Sequence, residues 1–268
     1  MLDFGTFARV TRATGGFDTT VWHLERDGRH YALRVFRADQ MTTLQREQVA
    51  LAAARAGGVP VPRIHAVGTF QGRPALLTEW CAGRPLLDEV RARPAQVLTL
   101  AIAFGRTHAA LHRIAAPASL RANWVAWAGP LEPALAAHLE RLSPASPARL
   151  LHLDYHPLNV LVERDGHVSA VLDWTNAHAG DPRADFARTV TILRLSPPRA
   201  RGFERLARLL LELGWRYGYG AAHRRADMTL FYAWAGVAMQ HDLAGRCSAA
   251  ELAHVRRWTN RWSRNVSP

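Results

Sequence analysis

Across the first 80 residues short apolar runs alternate with turn signals. VWHLE, then Asp27-Gly28, then HYALRVF read as a hairpin of two strands. Residues 41–56 (MTTLQREQVALAAARA) are rich in helix formers and run into Gly57-Gly58, a stop signal, so one helix interrupts the strands. IHAVGTF and PALLTEW, separated by Gln71-Gly72-Arg73-Pro74, predict a second strand pair. Cys81-Ala82-Gly83-Arg84-Pro85 breaks the pattern and is the candidate linker. From about residue 94 the period lengthens to that of a helix, with Leu98, Ile102 and Gly105 in step with Leu111 and His112. Phe203, Leu206, Leu210 and Leu213 repeat at helical spacing, as do Leu252, Val255, Trp258 and Trp262, and both stripes are expected to be core. The exception is LLHLDYHPLNVLVERDGHVSAVLDW, where two strand-like runs flank Asp165-Gly166 and polar residues crowd the loop before them. The expected class is α+β: a small N-terminal antiparallel sheet with one helix over residues 1–80, and a larger, mainly helical part over 81–268.

Composition adds limits. With 268 residues and 49% hydrophobic content the chain can bury a real core. The formal net charge of +12 raises nucleic acid, anionic membrane or a phosphate-bearing ligand as partners, but no block of five or more basic residues occurs. Nucleic acid therefore stays the minor option. All 34 basic side chains are arginine, so any chemistry that needs lysine has to be argued afresh. Cys81 and Cys247 are too few for a disulfide framework or a four-thiolate site, which fits a reducing cytoplasm. No signal peptide and no membrane span is expected, because nowhere do about 18 apolar residues run together.

The chemistry concentrates in one stretch. His152, Asp154 and Asn159 lie on a short loop containing Pro157 that enters a strand, and Asp173 closes the returning strand, back beside residue 159 or so. A carboxylate next to an amide oxygen suits magnesium, a hard cation that takes oxygen ligands and keeps phosphate oxygens in its other positions. Asp154 is then left to orient an attacking hydroxyl and accept its proton. Glu47 falls within about 60° of Leu44, Leu51 and Ala54 on a helical wheel, on an apolar stripe. Either it pairs with a cation, for which Arg34 is the natural candidate, or it snorkels to solvent.

HLDYHPLN matches the HxDxxxxN catalytic loop of kinase-like folds, and LDW at 172–174 stands where protein kinases have DFG. With His156, Pro157 and GDPRADFA at 180–187, the whole chain resembles the aminoglycoside phosphotransferase and choline kinase-like family; Leu111-His112 and VPVPR at 59–63 match it too. The resemblance implies a two-lobed protein-kinase-like fold, with a nucleotide-binding lobe at 1–80 and a catalytic and substrate-binding lobe at 81–268. It implies Asp154 as catalytic base, Asn159 and Asp173 as magnesium ligands and His152 as support for the loop. It also implies a hinge near residues 78–83 that meets adenine, giving Glu79 and Trp80 as nucleotide contacts, and a phosphate-covering loop at Gly15 and Gly16. Position 34, where the family has its phosphate-holding lysine, is Arg34, paired with Glu47 in the family's strand-to-helix ion pair. Arginine keeps the charge and offers two parallel donors on a larger, planar head.

The expected function is transfer of the γ-phosphate of ATP or GTP to a hydroxyl of a small molecule, an antibiotic, amino alcohol or sugar-like compound. The alternative is a catalytically silent kinase-like nucleotide-binding protein, supported by Arg34. A metal hydrolase built on His152, Asp154, His156 and His178 would leave Asn159, Asp173 and GDPRAD without a role. Asp181-Pro182 reads as a helix start, and Asp185 as either a first-turn carboxylate or, from the resemblance, a brace for the catalytic loop. His156 either holds the loop or faces substrate. The aromatics from Trp124 to Trp262 are core by default, some being available to an acceptor, and the few carboxylates of the C-terminal third argue against a polycationic one.

Overall fold

The computed structural model describes residues 9–13, 19–121, 123–142, 148–195, 203–220 and 225–264. Five antiparallel strands, β1 (Arg9–Arg12), β2 (Thr20–Arg26), β3 (Arg29–Val35), β4 (Ile64–Phe70) and β5 (Arg73–Glu79), form a sheet in the order β1-β2-β3-β5-β4, with α1 (Met41–Ala56) inserted after β3. Both hairpins turn through paired left-handed residues, Asp27 and Gly28 at φ 52° and 68°, Gln71 and Gly72 at 50° and 74°, the conformation whose twist matches the strands. Alternation sorts the two faces. Leu24, Leu33, Val35, Ala75 and Leu77 make a small apolar cluster on one, while Leu76 joins Phe36, Leu44, Leu51 and Ala54 in the larger core. Arg34, between Leu33 and Val35, thereby shares the face of Leu76, toward α1.

The larger part follows as β6 (Arg84–Pro85), α2 (Leu86–Ala92), α3 (Val97–Leu111), α4 (Trp124–Trp127), α5 (Pro133–Leu142), β7 (Arg149–Leu151), β8 (Val160–Val162), β9 (Val168–Val171), β10 (His178–Gly180), α6 (Pro182–Leu195), α7 (Phe203–Tyr219), α8 (Arg225–Leu243) and α9 (Ala249–Ser263). β8 and β9 are the hairpin expected around Asp165-Gly166, and β7 pairs with β10. The expected linker is more ordered than its composition suggests: Arg84 pairs with Val162 and Pro85 with Leu161, and Ser169 Oγ donates to Ala82 O at 2.6 Å. Among the described residues, no helix is long and apolar enough to cross a membrane.

One expected core stripe is core only in part: Leu210 packs against the interior, but two other members do not. On α7, Leu206 and Leu213 are 53% and 52% exposed, and the buried face carries Leu211, Glu212 and Trp215 instead. Glycine sets that face. A Cβ on Gly218 would stand 2.2 Å from Ile102 O and one on Gly214 2.6 Å from Ala101 Cβ, so α7 lies against α3 with its backbone, where no leucine fits. Leu98 on α3 is exposed for the same reason of phase, while Val97, Leu100, Ala101 and Phe104 are buried. The α9 stripe is core as expected: Leu252, Val255 and Trp262 are buried and Trp258 packs against them. Most of the aromatics fill the interior, Trp124, Trp215, Trp234 and Tyr232 among them, and Tyr217 is the one left exposed among the described large hydrophobic aromatics of that half.

Candidate active site

The loop between β7 and β8 is pinned from below by one carboxylate. Asp185, in the first turn of α6, accepts from the amide of His152 through Oδ2 at 2.6 Å and from that of Leu153 through Oδ1 at 2.9 Å. Leu153 sits at φ 60°, a costly conformation for a branched residue that holds only because the surroundings over-determine it. His152 is fully buried. Its Nδ1 accepts from the Asp154 amide at 3.2 Å and its Nε2 lies 2.9 Å from Leu172 O, so the proton is on Nε2 and the ring ties the loop to the strand end that bears Asp173. With one ring nitrogen taken by a backbone amide and the other donating to a backbone carbonyl, and no carboxylate among the described residues facing either, His152 is no metal ligand, and the hydrolase reading loses its first member. Asp181 starts α6, accepting from the Arg183 amide at 2.9 Å.

These constraints bring Asp154 and Asn159 together. Asn159 accepts the Leu172 amide on its backbone oxygen at 2.7 Å, while its Nδ2 donates to Asp154 O at 3.0 Å and Asp154 Oδ2 at 3.2 Å. The amide nitrogen is thereby committed to Asp154, and Oδ1 is the end left for a cation. His156 accepts the Leu158 amide on Nδ1 at 3.2 Å and puts Nε2 3.6 Å from Asp154 Oδ2. Burial works to raise the Asp154 carboxyl, but His156, with Arg188 and His152 nearby, outweighs it and holds the group at about 2.

Asp173, at φ 60°, accepts on Oδ1 from Arg34 Nη2 at 3.2 Å and from Thr175 Oγ1 at 2.9 Å. Burial opposes its ionisation, yet the Arg34 charge keeps it below the usual carboxylate range. Arg34 also forms a short contact with Glu47 and places Nη2 3.4 Å from Thr19 Oγ1. Glu47 does not snorkel: it is buried, and burial lifts its carboxyl to about 7 despite the guanidinium beside it. Arg34 thus joins Glu47 to Asp173, and the Leu172–Asn159 backbone bond sets Asp173 near Asn159 and Asp154. Gly15 and Gly16 lie outside the described residues. Glu79 and Trp80 have their amides committed to Arg63 O at 2.9 Å and His30 O at 3.0 Å, so a base contact at these two residues falls to their other groups.

Several neighbours of this site are not legible from spacing across the chain. Arg188 donates from Nε to Leu153 O at 3.2 Å and pairs with Asp242, and Thr175 bonds Asp173 two residues back. His108 and His112 face Asp185 from α3. Their separation of four positions, which puts both on one helical face, is the signal that could have found them. Burial, with His112 close by, pushes the His108 imidazole down to about 4.

A family model described as the phosphotransferase enzyme family matches residues 9–227. A thermostable variant of the aminoglycoside phosphotransferase APH(4)-Ia, solved in a ternary complex with AMP-PNP and hygromycin B, superposes over 98% of this chain and 95% of its own, at a TM-score of 0.70 and 17% identity. An aminoglycoside-3'-phosphotransferase of type VIII does so over 85% and 93%, at 0.62 and 22%. At these identities the likeness establishes the fold, the two-lobed kinase-like α+β architecture expected above. The uncharacterized protein YcbJ of Bacillus subtilis (strain 168) is 44% identical over 43 residues, which are 16% of this chain and 14% of that relative.

Proposed function

Because the chain belongs to the phosphotransferase enzyme family, we propose that it moves the γ-phosphoryl group of a nucleoside triphosphate, ATP or GTP, to a hydroxyl of a small molecule. The observation that carries the reading is the convergence of Asp154, Asn159, Asp173 and Arg34, with Asn159 Nδ2 3.2 Å from Asp154 Oδ2 and Arg34 Nη2 3.2 Å from Asp173 Oδ1. The reading divides the chain into a nucleotide-binding lobe, residues 1–80, and a catalytic and acceptor-binding lobe, residues 81–268. Nucleotide bound to a relative, as AMP-PNP is in the APH(4)-Ia complex, supports the same placement here.

Asp154 is ionised at neutral pH and stands as the base. It takes the proton of the acceptor hydroxyl as that oxygen bonds to the γ-phosphorus and the bond from phosphorus to the bridging oxygen breaks, releasing nucleoside diphosphate. Asn159 Oδ1 and the Asp173 carboxylate are hard oxygen donors held side by side by the 2.7 Å Leu172–Asn159 backbone bond, a set that fits magnesium. Magnesium there would neutralise charge on the phosphate oxygens. Arg34, backed by Glu47, is the cation free to exchange its contact with Asp173 for a phosphate oxygen. His152 and Asp185 hold the loop that carries the base and touch no reactant.

On the acceptor side the described carboxylates of α6–α9 are all engaged: Asp185 with the loop, Asp242 with Arg188, Glu212 with Arg194 and Arg216, Glu251 in the capping box of α9. That supports an acceptor with less positive charge than an aminoglycoside. The silent nucleotide-binding protein is the second reading, favoured by the contact of Arg34 with Asp173 where the family carries lysine. A nucleotide-consumption screen over hydroxylated metabolites and antibiotics, run beside magnesium-dependent nucleotide binding, separates the two. Binding with turnover on an acceptor is expected; binding with none across the panel favours the silent protein, and no binding defeats both.

A further inference from the structure

Behind the loop between β7 and β8, His108 and His112 of α3 face Asp185 of α6, and all three side chains are buried. His112 Nε2 lies 3.1 Å and His108 Nε2 3.5 Å from Asp185 Oδ2, and the ligand atoms of the trio fall within 4.8 Å of one another. As a purely hydrogen-bonded brace the arrangement holds Asp185 and His112 but leaves His108 out. Oδ2 already accepts the His152 amide at 2.6 Å, and His108, at 0% exposure, has no hydrogen-bond partner on either ring nitrogen. Buried polar atoms in that state call for a missing water or ion.

We propose that His108, His112 and Asp185 bind a divalent transition ion, zinc foremost, that clamps α3 to α6 beneath the catalytic loop. An ion with bonds of about 2.0–2.1 Å in tetrahedral geometry separates its ligand atoms by about 3.3 Å, and the observed 3.1 and 3.5 Å straddle that value. Two imidazoles one helical turn apart plus one carboxylate suit zinc and exclude a preference for magnesium or calcium, which take oxygen sets. The surrounding contacts orient the ligands: Tyr219 OH lies 2.7 Å from His112 Nδ1, the Leu153 amide holds Asp185 Oδ1 at 2.9 Å, and the His108 ring stacks on Tyr155 with centroids 4.1 Å apart. The ion would be structural, its site distinct from the oxygen set of Asn159 and Asp173. Enclosed as it is, it would load as the chain folds.

The test is elemental analysis of the tag-free full chain, produced in zinc-supplemented medium and gel-filtered, beside His108→Phe, which keeps a ring to stack on Tyr155. The expected result is close to one zinc per chain in the wild type and under about a tenth of that in a folded His108→Phe. If that variant does not fold, the zinc-edge absorption spectrum of the wild type decides, two imidazoles in its coordination shell being expected. Wild-type chain without zinc, zinc retained in folded His108→Phe, or a spectrum lacking imidazole would overturn the site.

Discussion

Arg34, Glu47 and Asp173 meet from as far as 139 positions apart as groups that share partners, open to solvent on the Asp173 side, whereas Asp185 fastens the loop between β7 and β8 from below in full burial. The first arrangement can trade contacts: Arg34 holds a glutamate, a second carboxylate and a threonine, and a phosphate can replace one without leaving a buried charge alone. The second cannot. Two backbone amides and a residue at φ 60° depend on one carboxylate, and no solvent reaches them to substitute. On the proposed function, adjustable charge lies at the phosphate contact and rigid hydrogen bonding lies under the loop that carries Asp154.

That contrast is sharpest under Asp185→Ala. Orphaning two buried amides is expected to cost about 3 kcal/mol or more and to remove most turnover, read as the urea midpoint and the rate with a working acceptor. An effect under about 1 kcal/mol would mean that the loop is not held from below. Next comes pH. The metal-free His108 imidazole is buried as a neutral ring with its affinity for a proton lowered to about 4, below the ordinary 6.5. The unfolded chain therefore binds the extra proton, and stability present above about pH 6.5 is lost as pH falls toward 4, up to about 3 kcal/mol. Urea titrations of the metal-free chain at pH 7 and 5 are expected to show this loss, with a shallower slope in His108→Phe. Equal slopes would place the acid sensitivity elsewhere. The smallest effect is expected on the adjustable side: Arg34→Lys keeps the charge, so stability shifts by about 1 kcal/mol or less and the nucleotide KM by under about tenfold. A larger loss, with Glu47 still buried, would show that the planar head is required.

The N-terminal elements are legible in the sequence because their signals are local: Asp27-Gly28 and Gln71-Gly72 mark turns by themselves, and residues 41–56 carry both their propensity and their stop. Glu47 is legible for a related reason, being a charge on an apolar stripe. The buried face of α7 is not, since it is chosen by a close approach of backbones at Gly214 and Gly218 that no periodicity of leucines records. The catalytic loop is readable as a string of residue types at set spacings, yet what aims it comes from α3 and α6. The resemblance implies Asp185 as a brace and marks His112, but the convergence of His108 with them is a tertiary fact, signalled in the sequence only by its spacing of four from His112.

The central claim is that Asp154 accepts the proton of a hydroxyl that attacks a nucleotide phosphate. Its most direct test is Asp154→Ala, assayed for nucleotide consumption and acceptor phosphorylation with an acceptor that the wild type uses, beside nucleotide binding. Turnover is predicted to fall by about a thousandfold while nucleotide affinity stays within about threefold. Turnover unchanged in a folded Asp154→Ala would contradict the account.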